Sequence, residues 1–255
     1  MQQVGRVLPL NGYLHRIKRH PTGDCPWCPG IKETQLHFQC DCWKFEPHRT
    51  TAHHTIAKAV IAALKESTKG WQFYYETPFS ALPWDFQWKS YREKQRQQHR
   101  RPDGVAWHAE KRLLYFLEFS RQMDYDDSMA AASARKGAQY DEALEAVMRA
   151  QRRGTYGTNQ VASAATLPLL FGVRGSVEYA DISEWLAVFR ARSVDRVLAA
   201  GVRATLEAST AMITARRAAL SSGEDVRSRS DGARRRQRGG RRQRRQPRLG
   251  GGSGG

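Results

Sequence analysis

The chain has 255 residues, with 42 Lys and Arg against 25 Asp and Glu for a formal charge of +17, and 40% of its residues are hydrophobic. That is enough for one medium-sized core with an appendage and too little for a polymerase with accessory domains. No stretch approaches the ~20 uninterrupted apolar residues of a membrane span, and the opening MQQVGRVLPLNGYLHRIKRH has no apolar segment followed by a small-residue cleavage site. The expectation is an intracellular protein, not secreted and not membrane-bound, that faces polyanions.

All four cysteines, Cys25, Cys28, Cys40 and Cys42, fall in one window of 18 residues. Intracellular clusters of this kind bind metal, whereas disulfides at such short separations would close strained loops. Cys25-Pro-Trp-Cys28 presents two thiolates to one cation, and His37 with Cys42 supplies a second pair from a following turn or helix. The resulting Cys3His set suits a closed, structural, tetrahedral Zn2+ site. Cys40, three residues after His37, is the alternative to Cys42 as the fourth ligand. Residues 1–50 therefore read as a lead-in and a zinc knuckle.

Beyond the knuckle, residues 51–66 place Ile56, Val60, Ile61 and Leu64 at helical spacing, with Thr50 or Thr51 as the cap. The aromatic run WQFYYET at 71–77, bounded by Gly70 and Pro78, fits a strand. A basic loop or short helix follows at 90–101. PDGVAW at 102–107 and LLYFLEF at 113–119, separated by the polar HAEKR, read as a hairpin. A helix is expected over about 128–152, and TLPLLFGV at 166–173 is expected to be a buried strand, with Pro168 near its start or at a sheet edge. The fold class is α/β, in the order helix, three strands, helix, strand. A further helix at 193–220 packs on the core, links it to the tail or serves a partner, although Gly201 weakens its middle.

Two acids stand where chemistry is expected. Asp103 opens the second strand and Glu118 closes the third, so hairpin pairing can bring both to one sheet edge. Convergent carboxylates beside a basic surface hold Mg2+, which polarises a phosphodiester and lowers the pKa of an attacking water. Glu118 also lies within LLYFLEFS, where a charge is costly without a partner. The competing reading is that Asp103 starts a turn before Gly104 while Glu118 pairs with Arg121.

Arg101-Pro102-Asp103 followed by Leu117-Glu118-Phe119-Ser120-Arg121 resembles the core motif of PD-(D/E)xK nucleases. With the upstream Cys/His cluster, residues 11–190 resemble the carboxyl-terminal part of non-LTR retrotransposon polyproteins, in which a zinc knuckle precedes a restriction-like endonuclease. The resemblance implies a nuclease-like domain at 51–192, with Asp103 and Glu118 as the Mg2+ ligands, a backbone carbonyl near Phe119 beside them, and Glu76 as an accessory acid. The motif's lysine position holds Ser120, which cannot supply a cation. Two substitutes are Arg121 and Lys136. Strand alternation turns Arg121 to the opposite face from Ser120, whereas Lys136 and Tyr140 sit four apart on one helix face and resemble the retrotransposon arrangement, so Lys136 is the expected catalytic cation, with Tyr140 supporting it or contacting DNA.

The implied activity is Mg2+-dependent nicking of DNA in the nucleus, leaving a 3′-hydroxyl for a reverse transcriptase supplied elsewhere. DNA is the expected partner, with RNA as a further one. Binding would draw on Arg92 to Arg101, on Trp27 and Trp43 in the knuckle, and on the Arg tail. From Ser221 onward 11 Arg stand against Glu224, Asp225 and Asp231, a surplus of +8, in a segment with no apolar periodicity that reads as a disordered arm. The alternative function is a catalytically silent zinc-knuckle protein that binds nucleic acid, which Ser120 would suit.

Overall fold

The computed structural model describes residues 8–124, 126–153, 160–177, 186–189 and 194–222. Residues 1–215 form one compact unit and 216–255 a second. Of the second unit only residues 216–222 are described; the basic arm expected beyond them, and Trp185, lie outside the described residues. Among the described residues no helix is long and apolar enough to cross a membrane.

The first elements are α1 (Asn11–Arg16) and the short antiparallel hairpin of β1 (Asp24–Cys25) and β2 (Cys28–Lys32). A π-helical turn at His37–Asp41 and a 3-10 turn at Trp43–Phe45 lead into α2 (Glu46–Ser67). That helix starts five residues before the sequence pattern suggests, because Pro47 in its first turn has its φ already set for a helix and no N–H to leave unpaired. Next come β3 (Trp71–Tyr75), α3 (Tyr91–Gln97), β4 (Gly104–His108) and β5 (Leu113–Gln122). The single helix expected over 128–152 is two helices, α4 (Asp126–Gly137) and α5 (Asp141–Arg152), joined by a 3-10 turn at Ala138–Tyr140. The last elements are β6 (Ser163–Gly172) and α6 (Val194–Ser221).

The protein is thus mixed α/β, with a four-stranded sheet in the order β3-β4-β5-β6. The first three strands are antiparallel neighbours, and β6 runs parallel to β5 at the edge, where Pro168 is tolerated. Each face of the sheet is covered. On one face Ala106, Leu117, Phe119, Leu169 and Phe171 pack with Ile56, Val60 and Leu64 of α2 and Val197 of α6. On the other face Val105, Trp107, Leu114 and Phe116 pack with Ala143 and Val147 of α5 and with Phe79 and Trp84 of the loop after β3.

Two glycines permit close approach. A Cβ on Gly104 would come within 2.9 Å of the Ile61 side chain, so α2 lies directly on the start of β4. A Cβ on Gly201 would fall 2.0 Å from the Phe171 ring. Gly201 is therefore where α6 crosses the sheet, not merely a weak point in the helix.

Candidate functional site

The knuckle ligands come from three short pieces. The tight turn between β1 and β2 places Cys25 opposite Cys28, and residues directly opposed in an antiparallel pair share a face. His37 opens the π-helical turn and Cys42 caps it. Cys25, Cys28, His37 and Cys42 are all buried, with ligand atoms within 4.8 Å of one another. The Cys42 Sγ is 3.8 Å from both Cys25 Sγ and Cys28 Sγ, which is about the sulfur separation of a tetrahedral site with Zn–S bonds of ~2.3 Å. The His37 Nε2 is buried and has no hydrogen-bond partner, as expected of a nitrogen meant for a metal. Without a cation the thiols compete for one negative charge. The hydrogen bond with Cys42 holds Cys25 down at about 6, burial pushes Cys28 up to about 11, and the hydrogen bond with Cys25 pushes Cys42 up as well. The group fits a metal ion, and its donors are consistent with Zn2+. Cys40 stands outside it, half-buried, with its thiol pushed up by burial.

Around this centre Phe45 meets Trp27 and Phe38 edge-on, and the Trp43 indole donates to the Trp27 carbonyl at 2.8 Å. Trp27 is therefore a buried packing residue rather than an available stacking surface, whereas Trp43 remains 42% exposed.

The second centre lies at the end of the large sheet. Gly104 pairs with Leu117, so Asp103 falls opposite Glu118, on the face that carries Val105, Leu114 and Phe116. The Asp103 N–H donates to Glu118 Oε1 at 3.3 Å, and the Phe119 N–H donates to Asp103 Oδ2 at 2.7 Å. Lys136, in the last turn of α4, reaches both acids, with its Nζ 2.5 Å from Glu118 Oε2 and 4.0 Å from Asp103 Oδ2. Glu118 is fully buried. Burial, and then Asp103, push its carboxyl up, while Lys136 opposes them. The two carboxylates converge on the Lys136 ammonium, whose charge offsets part of theirs.

Tyr140 ends the 3-10 turn after α4, in edge-on contact with Phe79 and Phe116. Burial, and then Glu118, push its phenol up, so it stays protonated and donates to the Arg101 carbonyl at 3.0 Å. The turn thus fixes the backbone two residues before Asp103.

Sequence reasoning missed His53. One turn before Ile56 and Ala57, it belongs to the stripe of α2 that faces the sheet, and that spacing was a usable signal. Its Nε2 lies 2.9 Å from Asp103 Oδ1, and this bond raises its pKa. The neighbouring His54 Nδ1 contacts Glu76 Oε1 at 2.7 Å and the Tyr75 hydroxyl at 3.0 Å. Glu76 is thus near the acid pair, its N–H pointing to the Asp103 carbonyl at 3.4 Å, but its carboxylate engages His54.

Arg121 is not brought to the acids. It lies on the opposite face, where its guanidinium donates to the Gln39 carbonyl and side chain and to the Ser209 hydroxyl. Strand alternation forces this, and the pairing of Glu118 with Arg121 is replaced by Glu118 with Lys136. Part of the basic segment is also committed to structure. Arg96 pairs with Glu142 of α5 at 2.6 Å, and the Arg100 guanidinium sits 4.8 Å from the centre of the Tyr140 ring. Arg92, Lys94 and Arg101 are exposed. No model of a known protein family matches the chain, and no curated protein matches it.

Proposed function

We propose that the chain is a divalent-metal-dependent DNA endonuclease, restriction-like in fold and of retrotransposon origin, that nicks its target by hydrolysing a phosphodiester. The observation that carries this reading is the meeting of Asp103, Glu118 and Lys136, from the residue just before β4, from β5 and from α4. Buried charge has a desolvation cost, and a functional site is one setting in which that cost is retained.

Asp103 and Glu118 are the ligands for Mg2+, which when bound polarises the phosphodiester and lowers the pKa of the attacking water. Asp103 is oriented by the Phe119 N–H on one carboxylate oxygen and by His53 on the other. Lys136 supplies positive charge beside the reacting phosphate and stabilises the negative charge that develops there. Exposed Arg101, two residues before Asp103, supplies a phosphate contact beside the site, exposed Arg92 and Lys94 of α3 add positive surface, and Trp43 offers a stacking surface on the knuckle. The product would carry a 3′-hydroxyl able to prime a reverse transcriptase supplied elsewhere, which makes the nucleus the natural place of action.

A second reading, a silent nucleic-acid-binding protein, draws on Ser120 at the motif's lysine position. Nicking of supercoiled plasmid with Mg2+ separates the two. The endonuclease reading expects open circles from the wild type and a loss of roughly a thousandfold in rate for Asp103→Ala and Glu118→Ala, in line with removal of several kcal/mol of metal-supplied stabilisation. A wild type that binds the plasmid but leaves it intact would establish the silent reading instead.

A further inference from the structure

Outside the acid pair and the knuckle, one other set of metal-ligating side chains converges among the described residues. His53 and His54 on α2 and Glu76 just after β3 bring one ligand atom each to within 4.8 Å of the others. We propose that these three form a second metal site, selective for a first-row transition ion over Mg2+, with Zn2+ the best suited and Mn2+ a weaker, spectroscopically visible occupant, adjoining the acid pair through Asp103.

Four observations support it. The donors are two imidazoles and a carboxylate, a set that suits first-row transition ions, whereas Mg2+ favours oxygen ligands. Two of the three groups already meet, with His54 Nδ1 at 2.7 Å from Glu76 Oε1, a contact that a cation would replace. Glu76 holds a φ of +43°, a left-handed conformation that a non-glycine residue seldom adopts. Such outliers persist where the surroundings fix them and cluster at ligand sites.

The fourth is an open cleft of about 420 Å3, lined by Thr51, His54, Thr55, Lys58, Tyr75 and Glu76, which leaves room for the remaining ligands of an ion. Lys58 lies over the Tyr75 ring, 5.5 Å from its centre. From there it can meet an anionic ligand of the ion, such as a phosphate oxygen.

His53 ties this site to the first, since its Nε2 contacts one oxygen of Asp103 while the other oxygen faces Lys136. The inference shares His53 with the nuclease reading, through its contact with Asp103, but its other two ligands, His54 and Glu76, make no contact with Glu118 or Lys136 among the hydrogen bonds and ion pairs described.

The test is pulsed electron paramagnetic resonance of Mn2+ added to protein supplied with a single equivalent of zinc, which the knuckle takes up; the signal reports nitrogen coordination directly. Thiolates favour Zn2+ and Mn2+ is the weakest binder of the first-row series, so the knuckle keeps its zinc. The expected result is imidazole nitrogen coupling to bound Mn2+. It should be lost, with at least a tenfold fall in Mn2+ affinity, in His54→Gln and in Glu76→Gln, and retained in Glu118→Gln. Zinc content, measured in parallel, should stay at one equivalent in every variant.

Absence of nitrogen coupling in the wild type, or coupling that persists in a His53→Gln, His54→Gln double variant, would overturn the proposal. Plasmid nicking in Mg2+ is scored separately, so loss of the second site and loss of the endonuclease reading are distinguishable.

Discussion

The Cys/His knuckle and the Asp103–Glu118 cluster are built on opposite principles. The knuckle collects Cys25, Cys28, His37 and Cys42 from 18 consecutive residues, on two tight turns with little regular structure between them. The sheet site collects His53, Asp103, Glu118 and Lys136 from α2, from the residue just before β4, from β5 and from α4, elements whose positions depend on the whole core. The knuckle packs three thiols against one another and leaves the His37 Nε2 buried without a hydrogen-bond partner. The sheet site closes its own charges into hydrogen bonds and ion pairs. The first should therefore need its metal to fold, and the second should be assembled beforehand and need metal only to act.

Removal of metal is the strongest way to break that contrast. Structural zinc contributes on the order of 10 kcal/mol or more to such modules. A strong chelator should therefore collapse the amide dispersion of residues around 24–45 in heteronuclear NMR spectra, while amides of β4 and β5 keep their hydrogen-exchange protection. Equal loss in both regions would mean that the sheet also relies on the knuckle for its fold.

A smaller effect is expected from the internal ion pair. Replacing Lys136 by Met leaves Glu118 buried and unpaired in the metal-free protein, a change that typically costs about 3 kcal/mol or more. Chemical denaturation should show that loss, and a Lys136→Met, Glu118→Gln double variant should recover most of it. If the double variant is no more stable than the single one, Lys136 does not balance Glu118.

The smallest effect is a pH signature of the sheet site. The Asp103 bond raises the His53 pKa above its ordinary value near 6.5, against the opposing influence of burial. A histidine with a raised pKa in the folded state stabilises the fold fully below its unfolded pKa, and that contribution fades as pH rises through the folded value. In metal-free protein, NMR titration should place His53 above 6.5, and Asp103→Asn should lower it. An unchanged midpoint in that variant would remove His53 from the site.

Legibility in the sequence followed the same division. The knuckle could be read because ligand spacing within one window is a local property, and Cys42 rather than Cys40 completes the set once the π-helical turn positions it. Asp103 and Glu118 could be read because a hairpin register and a charge inside an apolar run are nearly local. Lys136 was reached only through a family resemblance, since nothing in its neighbourhood says where α4 will lie against the sheet.

The break between α4 and α5 was overlooked even though Gly137, followed by Asp141 and Glu142, marks a helix end and a new helix start. His54 carries no periodic signal, because its partner Glu76 is fixed by how β3 ends.

The most direct measurement is an anomalous-scattering map from crystals of the protein soaked in Mn2+. The account predicts a peak within about 2.6 Å of oxygens from both Asp103 and Glu118, with the Lys136 ammonium displaced from Glu118. A map in which Lys136 keeps its contact with Glu118, and no peak appears between the two acids at saturating Mn2+, would contradict it.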